Sequence, residues 1–221
     1  MAKQRLLPIW FHIWFIASCL ILLVGGAADR MQGATPDSFN AWGAALGMLC
    51  MYGILQLIWR LRIPVRGIMP RGIPLILLSA GVGLLFAEID ELVNFPFNPL
   101  VPGISLGQDI LLSAPMYLGA HLMWYLVLKR YRFSPFQALM TGGLSLGIYE
   151  FFLGTPSLLA FLTLPFMLMI HGVHMVIPTV VLGDRYERPE RKDTWVKYPL
   201  GVLLPAVGTA IGIGVALIFA A

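Results

Sequence analysis

Seven long apolar stretches constrain the fold of this chain more than any other feature. A helix needs roughly 20 predominantly apolar residues to cross a hydrocarbon core about 30 Å thick. Continuous apolar runs without period-two alternation favour helices over the strands of a membrane barrel. Such stretches lie at residues 7–26, 41–59, 73–95, 110–128, 135–153, 157–182 and 199–221. The sequence therefore predicts an all-α, polytopic membrane protein, a bundle of seven transmembrane helices.

The composition agrees with lipid as the main solvent of this chain. Of its 221 residues, 58% are hydrophobic and 12% are charged, and a soluble domain carries about twice that charge. The connections between the stretches are short, so we predict one transmembrane domain over residues 1–221. The basic residues behind the net charge of +4 lie in the loops, where they are orientation signals rather than a nucleic-acid surface and could also contact anionic headgroups of the lipid bilayer.

The basic residues predict the orientation. With seven spans, every Lys and Arg except Arg30 falls on the same side of the membrane as the N-terminus. Basic loops are retained on the cytoplasmic side. We therefore predict a cytoplasmic N-terminus and an outside C-terminus, in the cytoplasmic (inner) membrane of a bacterium or archaeon.

Small residues recur at a spacing of four in several stretches, which lets helix backbones approach closely in lipid. We expect most of these seams inside the bundle. The stripe on the last helix equally suits a contact with another membrane subunit. The seams are Gly43 with Gly47, Ser79 with Gly83 and Ala87, Gly143 with Gly147, and Gly208 with Gly212 and Ala216.

Carboxylates form an outer polar layer within the predicted spans. Ionisable groups inside a membrane are costly, so each marks a candidate functional position. Glu88 and Glu91 share one face of the third helix, and Glu150 lies on the fifth. All three come out roughly 5 to 10 Å below the outer boundary. We predict them as catalytic carboxylates; the alternative for Glu88 and Glu91 is simple contact with interfacial water.

Imidazoles form a deeper layer. His121 and His171 come out roughly 16 and 21 Å from the outer side, with His174 slightly deeper. His121 and His171 are the predicted cofactor ligands and could hold haem between two helices. The same histidines with His174 and Glu88 form the predicted set for a transition metal, copper, iron or zinc. The alternative is ordinary hydrogen bonding between helices.

The second half of the chain has a layout known from one family. It has Met116 with Gly119-Ala120, a short basic turn, Gly142-Gly143 running to Tyr149, then Leu164-Pro165 and a charged loop before the last helix. This order resembles the seven-helix A subunit of copper membrane monooxygenases, which oxidise methane or ammonia. The resemblance implies a subunit of a multisubunit membrane complex. The chain departs from the family at residues 94–97, where the family is rich in tryptophan, and at His171-Gly172, where it has an acid-glycine pair. No site residue is carried over.

Three functions stay open. The first is a site on helices three to six that binds a metal or redox cofactor and acts on a lipophilic or small substrate. The second is an accessory or cofactor-binding subunit of a larger redox or monooxygenase complex. The third is a cation or proton transporter, in which the outer acids pass their cargo to His121 and His171. The difference in depth between the two layers favours the transporter, because a relay needs proton- or cation-binding groups at successive depths. The sequence contains no catalytic motif such as H-E-x-x-H.

Overall fold

The computed structural model describes residues 6–31, 40–97, 103–153, 158–186 and 192–220. Within these ranges the regular secondary structure is helical, apart from one isolated bridge between Tyr131 and Lys192. The prediction of an all-α chain with seven long helices is confirmed over these residues. The helices are α1 (Ile9–Met31), α2 (Ala41–Ile68), α3 (Leu75–Asn94), α4 (Leu106–Arg130), α5 (Pro135–Leu153), α6 (Leu158–Val181), the single-turn α7 (Gly183–Tyr186) and α8 (Lys197–Ala220).

Five of these helices are long and apolar enough to cross a membrane by length and composition. On that basis the chain is a helical membrane protein. α3 is not one of the five: it is 20 residues long, but it carries Glu88, Asp90 and Glu91 near its C-terminal end. The number of spans and the side on which the N-terminus lies stay predictions. The five candidate spans are Ile9–Ala28, Ala41–Ile68, Leu106–Arg130, Leu164–Val181 and Lys197–Ile218.

α6 is the central helix of the bundle. It contacts α1, α2, α3 and α5, and it touches α4. Its segment Leu164–Val181 is 78% buried, against 44% or less for the other four candidate spans. α8 stands outside this group and packs along α4 and α5. Side chains that project from α6 toward α3 and α4 are therefore shielded from lipid.

The small-residue stripe on α8 is used within the chain. A Cβ on Gly208 would overlap the backbone carbonyl of Gly119 on α4, and a Cβ on Gly119 would overlap that of Gly208. Gly212 packs in the same way against the backbone of Pro115, and Ala216 is buried. Gly208 and Gly212 therefore pack against α4 within the chain, and the structure does not support the alternative that Gly208, Gly212 and Ala216 contact another subunit.

The basic loops lie together at one end of the bundle. Arg66 donates from Nε to the carbonyl oxygen of Val180 at 2.8 Å, so it satisfies a carbonyl at the C-terminal end of α6. Its helix, α2, continues to Ile68, beyond the predicted end at residue 59. The backbone N–H of Lys192 donates to the carbonyl oxygen of Arg130 at 2.9 Å. This common location agrees with the predicted basic side of the membrane.

Candidate functional site

One face of α4 carries a row of buried polar side chains. Asp109, Ser113, Tyr117 and His121 follow each other at a spacing of four, which places them on one side of the helix. None of them is more than 8% exposed. A capping box that begins at Ser105 fixes the start of the helix. The row is directed into the protein, where α4 meets α3 and α6.

α3 supplies the acidic partners of this row. The Tyr117 hydroxyl donates to Oε1 of Glu91 at 2.6 Å, and the Ser113 hydroxyl lies 3.5 Å from Oε2 of Glu88. Asp109 and His171 lie close enough to Glu91 to interact with it electrostatically. Glu91 is only 8% exposed. It is therefore bound to α4, and contact with interfacial water does not account for it.

The imidazole layer adjoins the acidic layer through one tyrosine. Nε2 of His121 lies 3.1 Å from Nδ1 of His174, and both residues are buried. The ring of Tyr117 meets the ring of His174 edge to face, with centroids 5.1 Å apart. Tyr117 thus touches both layers, with its hydroxyl on Glu91 and its ring on His174. The sequence left a difference in depth of roughly 5 to 10 Å between the layers, and Tyr117 spans it.

The structure pairs His121 with His174, where the sequence suggested His171 as the facing residue for a haem. Counted from the first residues of α4 and α6, Leu106 and Leu158, His174 matches the depth of His121 better than His171 does. His171 lies toward α5, because its ring is 3.6 Å from the position of a Cβ on Gly147. The two α6 histidines therefore have different neighbours: His171 lies near Gly147 and within electrostatic range of Glu91, and His174 lies against His121.

Gly83 on α3 makes room for the His121 ring. A Cβ at Gly83 would overlap the imidazole atoms Nδ1 and Cε1. Gly47 on α2 accommodates the Asn94 amide in the same way. The sequence predicted both glycines as points of close backbone approach. In the structure they admit polar side chains from a neighbouring helix, which brings polar groups into the bundle without separating the helices.

Hydroxyl groups extend this set of buried polar side chains toward the end of the bundle that carries the basic loops. Tyr186 in α7 donates from its hydroxyl to Oγ of Ser79, which precedes Gly83 by one turn of α3. Tyr125 follows His121 by one turn of α4, and its ring centroid lies 6.2 Å from that of Tyr186. Sequence reasoning missed these residues and Tyr117, because it followed only the groups that carry a charge. The polar track, as we call it, consists of Glu91, Tyr117, His174, His121, Ser79 and Tyr186.

The predicted metal ligands do not form a complete coordination set in the part of the chain that the structure describes. It contains no group of three or more His, Cys, Asp or Glu that is able to hold a metal ion. Glu88 contacts Ser113, and His121 contacts His174. Glu150 lies in α5, but its side chain is outside the described residues. A transition metal or haem stays a prediction, as does a catalytic role for Glu88, Glu91 and Glu150.

Comparisons with protein-family models, with curated proteins and with solved structures find no match to this chain. The resemblance to the A subunit of copper membrane monooxygenases, and membership of a larger complex, therefore stay predictions.

Proposed function

We propose that this membrane protein transports protons along the polar track. The observation that carries the proposal is the position of Tyr117, whose hydroxyl lies 2.6 Å from Glu91 while its ring packs against His174. A relay needs stations spaced along the membrane normal, whereas a metal site needs ligands arranged around one point. Chains of Asp, Glu and His inside membranes mark proton relays in pumps and transporters.

The members of the track have the chemistry for successive proton transfers. A tyrosine hydroxyl both donates and accepts a hydrogen bond. A neutral imidazole accepts a proton on one nitrogen and releases one from the other. The 3.1 Å contact therefore allows transfer between His174 and His121 by exchange of tautomers. Between Tyr117 and His174 the contact is through the rings, so transfer there requires a turn of the Tyr117 side chain or a bridging water.

We place the control of access at the basic end of the track. Ser79 lies one helical turn, about 5.4 Å along the axis, from the level of Gly83 and His121. Its partner Tyr186 belongs to α7, the single turn between α6 and α8. A movement of this short connection changes the contact between Tyr186 and Ser79 without repacking a long helix.

The test is proton flux into liposomes that contain a pH-sensitive dye, driven by a potassium diffusion potential. Tyr117→Phe keeps the ring against His174 but removes the hydrogen bond to Glu91. His174→Gln removes the exchange of tautomers. Because each substitution removes one transfer step, we expect each to lower the flux by at least about tenfold.

α1 and α2 provide a matched pair of control residues. The Tyr52 hydroxyl lies 2.9 Å from Nδ1 of His12, away from the polar track. Tyr52→Phe and His12→Gln make the same chemical changes, and we expect both variants to conduct like the wild type. The proposal is wrong if the wild type conducts no protons, or if the variants at Tyr117 and His174 conduct as well as the controls.

A metal-dependent function is the second candidate, and one distance favours it. Two nitrogen ligands at 2.0–2.1 Å from one metal are about 2.8 to 3.4 Å apart at bond angles of roughly 90 to 110°. The separation of 3.1 Å between His121 Nε2 and His174 Nδ1 lies in this range. We rank this function second because a catalytic zinc site has about three protein ligands, whereas this contact supplies two, His121 and His174.

Elemental analysis and an optical spectrum of the purified protein separate the two candidates. The wild type is measured beside a double variant, His171→Ala with His174→Ala. A metal or a haem band that is present in the wild type and lost in the double variant supports the metal-dependent function. A wild type without metal or chromophore that still conducts protons excludes it in favour of the relay.

A further inference from the structure

We propose that a groove between α5 and α8 binds one anionic phospholipid at the basic end of the bundle. At the polar end of this groove, Gln137 donates from Nε2 to the Tyr198 hydroxyl at 2.9 Å. The remainder of the groove is mainly apolar and follows both helices away from that end. It is lined by Phe136, Met140 and Leu144 from α5, and by Val202 and Leu203 from α8. None of these residues belongs to the polar track.

Phe136 also lines a second groove, next to the start of α1. Its lining residues are Leu6, Pro8, Ile9 and Trp10, at the start of α1. The rings of Trp10 and Phe136 meet edge to face with centroids 5.5 Å apart. Phe136 therefore lines both grooves, and its ring is a wall that they share. A phospholipid with two acyl chains fits this arrangement, with one chain on each side of the ring.

Exposed aromatic residues indicate the level of the lipid headgroups. Trp10 is 52% exposed, Trp195 is 76% exposed and Tyr198 is 40% exposed. Tryptophan and tyrosine concentrate where a membrane meets water, because their rings are apolar and their N–H or O–H groups are polar. The polar end of the groove therefore lies at headgroup level, and the apolar lining faces the acyl chains.

The charges at this level favour an anionic headgroup. Buried Lys197 donates from Nζ to the carbonyl oxygen of Arg132 at 2.8 Å and to Asp193 at 2.7 Å, which fixes the α4–α5 turn beside Tyr198. The Arg132 N–H donates to the Lys192 carbonyl oxygen at 3.0 Å, so the two basic side chains begin at neighbouring positions. Among the described residues of this turn and of the segment before α8, the cations Arg132, Lys192 and Lys197 outnumber Asp193. Their net positive charge attracts an anionic lipid.

The test compares binding of phosphatidylglycerol and of phosphatidylcholine with the same acyl chains, by native mass spectrometry of the full-length protein in detergent. One basic residue beside an anionic lipid is worth a factor of about five in affinity. We therefore expect Arg132→Gln with Lys192→Gln to bind phosphatidylglycerol roughly thirtyfold more weakly. Arg71→Gln removes an exposed charge from the α2–α3 connection, and we expect it to leave binding unchanged.

A second variant tests the groove independently of charge. Val202→Phe fills the space between α5 and α8 and is expected to weaken the binding of phosphatidylglycerol. Val207→Phe places the same ring on α8 at a position that is 50% exposed and outside the groove, so it is the matched control. Lipid that only surrounds the protein would bind regardless of headgroup and of these substitutions. Equal binding of both lipids, or no loss in Val202→Phe and in the double variant, would therefore overturn the proposal.

Discussion

Replacing Gly83 with alanine tests whether the His121 ring packs against α3. A Cβ at Gly83 would overlap two atoms of the imidazole and lie 2.6 Å from its Cγ, whereas ordinary contacts begin at 3.4 Å. The ring must therefore retreat by more than about 0.8 Å, because Nδ1 and Cε1 lie closer to this Cβ than Cγ does. His121 and His174 are both buried in close-packed surroundings. Their 3.1 Å contact does not tolerate such a displacement, because movement away from His174 breaks the hydrogen bond and movement toward His174 brings the two rings into overlap.

The size of the effect follows from two opposing contributions to the free energy of unfolding. Alanine is more favourable than glycine within a helix by about 1 kcal/mol, and overpacking a buried site costs about 1–3 kcal/mol. Gly81→Ala isolates the first contribution, because a Cβ at Gly81 has no neighbour within 4 Å. Both glycines lie in α3. We therefore expect Gly83→Ala to be less stable than Gly81→Ala by about 1–3 kcal/mol.

The assay is equilibrium unfolding in mixed micelles, in which a denaturing detergent replaces a mild one and circular dichroism follows the helix content. Proton flux into liposomes is measured on the same preparations. We expect Gly83→Ala to lose both stability and flux relative to Gly81→Ala. Equal unfolding free energies together with equal fluxes would refute the packing of His121 on Gly83, and with it this step of the polar track.

Two further substitutions test the packing of α8 and the basic end. We expect Gly208→Val to lower the unfolding free energy by about 1–3 kcal/mol, because its Cβ overlaps the Gly119 carbonyl. Gly214→Val is the control, because a Cβ at Gly214 has no neighbour within 4 Å. Equal stabilities of the two variants would contradict the contact between Gly208 and Gly119. The hydrogen bond and charge of Lys197 lower the pKa of Asp193 below its ordinary value of 3.8. The contribution of this ion pair is therefore fully present above that pH and is lost as the pH falls through the lowered pKa. We expect Asp193→Asn to remove this acid-dependent part of an unfolding series from pH 7 to 3, and an unchanged pH profile would contradict the ion pair.

The helices could be predicted because the membrane imposes one simple requirement on each segment that crosses it, an apolar run of sufficient length. Any chain that crosses lipid must satisfy its backbone internally, so continuous apolar runs of sufficient length indicate helices. The end of α2 was less predictable. Arg60, Arg62 and Arg66 interrupt the apolar run, yet the helix continues because Arg66 binds the end of α6 at Val180. That partner lies more than a hundred residues away, and local composition does not reveal it.

The candidate site was predictable in depth but not in pairing. Counting residues along each helix identified an acidic layer and an imidazole layer, and among the described residues the structure brings Tyr117 to Glu91 in the first and His121 to His174 in the second. The rotation of each helix decided that His121 contacts His174 and that Tyr117 lies between the layers. One signal was present in the sequence, the spacing of four from Asp109 through Tyr117 to His121. A tyrosine in such a row can be identified from the amino-acid sequence, provided that hydroxyl groups are counted with the charged ones.

Glycines at a spacing of four have two different uses in this protein, and the sequence does not distinguish them. Gly208 faces another glycine, Gly119, and the helix backbones approach each other. Gly83 faces a large side chain, His121, and the space left by its missing Cβ is filled by the ring. The choice depends on the residue that the neighbouring helix presents, which follows from tertiary packing.

The packing of α8 explains how α4 keeps its polar row directed inward. Gly119 lies midway between Tyr117 and His121 along the chain, so on a helix it points to the side opposite both. The close contact of Gly119 with Gly208 therefore fixes the back of α4, and this sets the direction of its polar face. A bulky residue at Gly208 has to push or rotate α4, which moves Tyr117 away from Glu91 although neither residue is changed. The flux of Gly208→Val should accordingly fall together with its stability, whereas the flux of Gly214→Val should not.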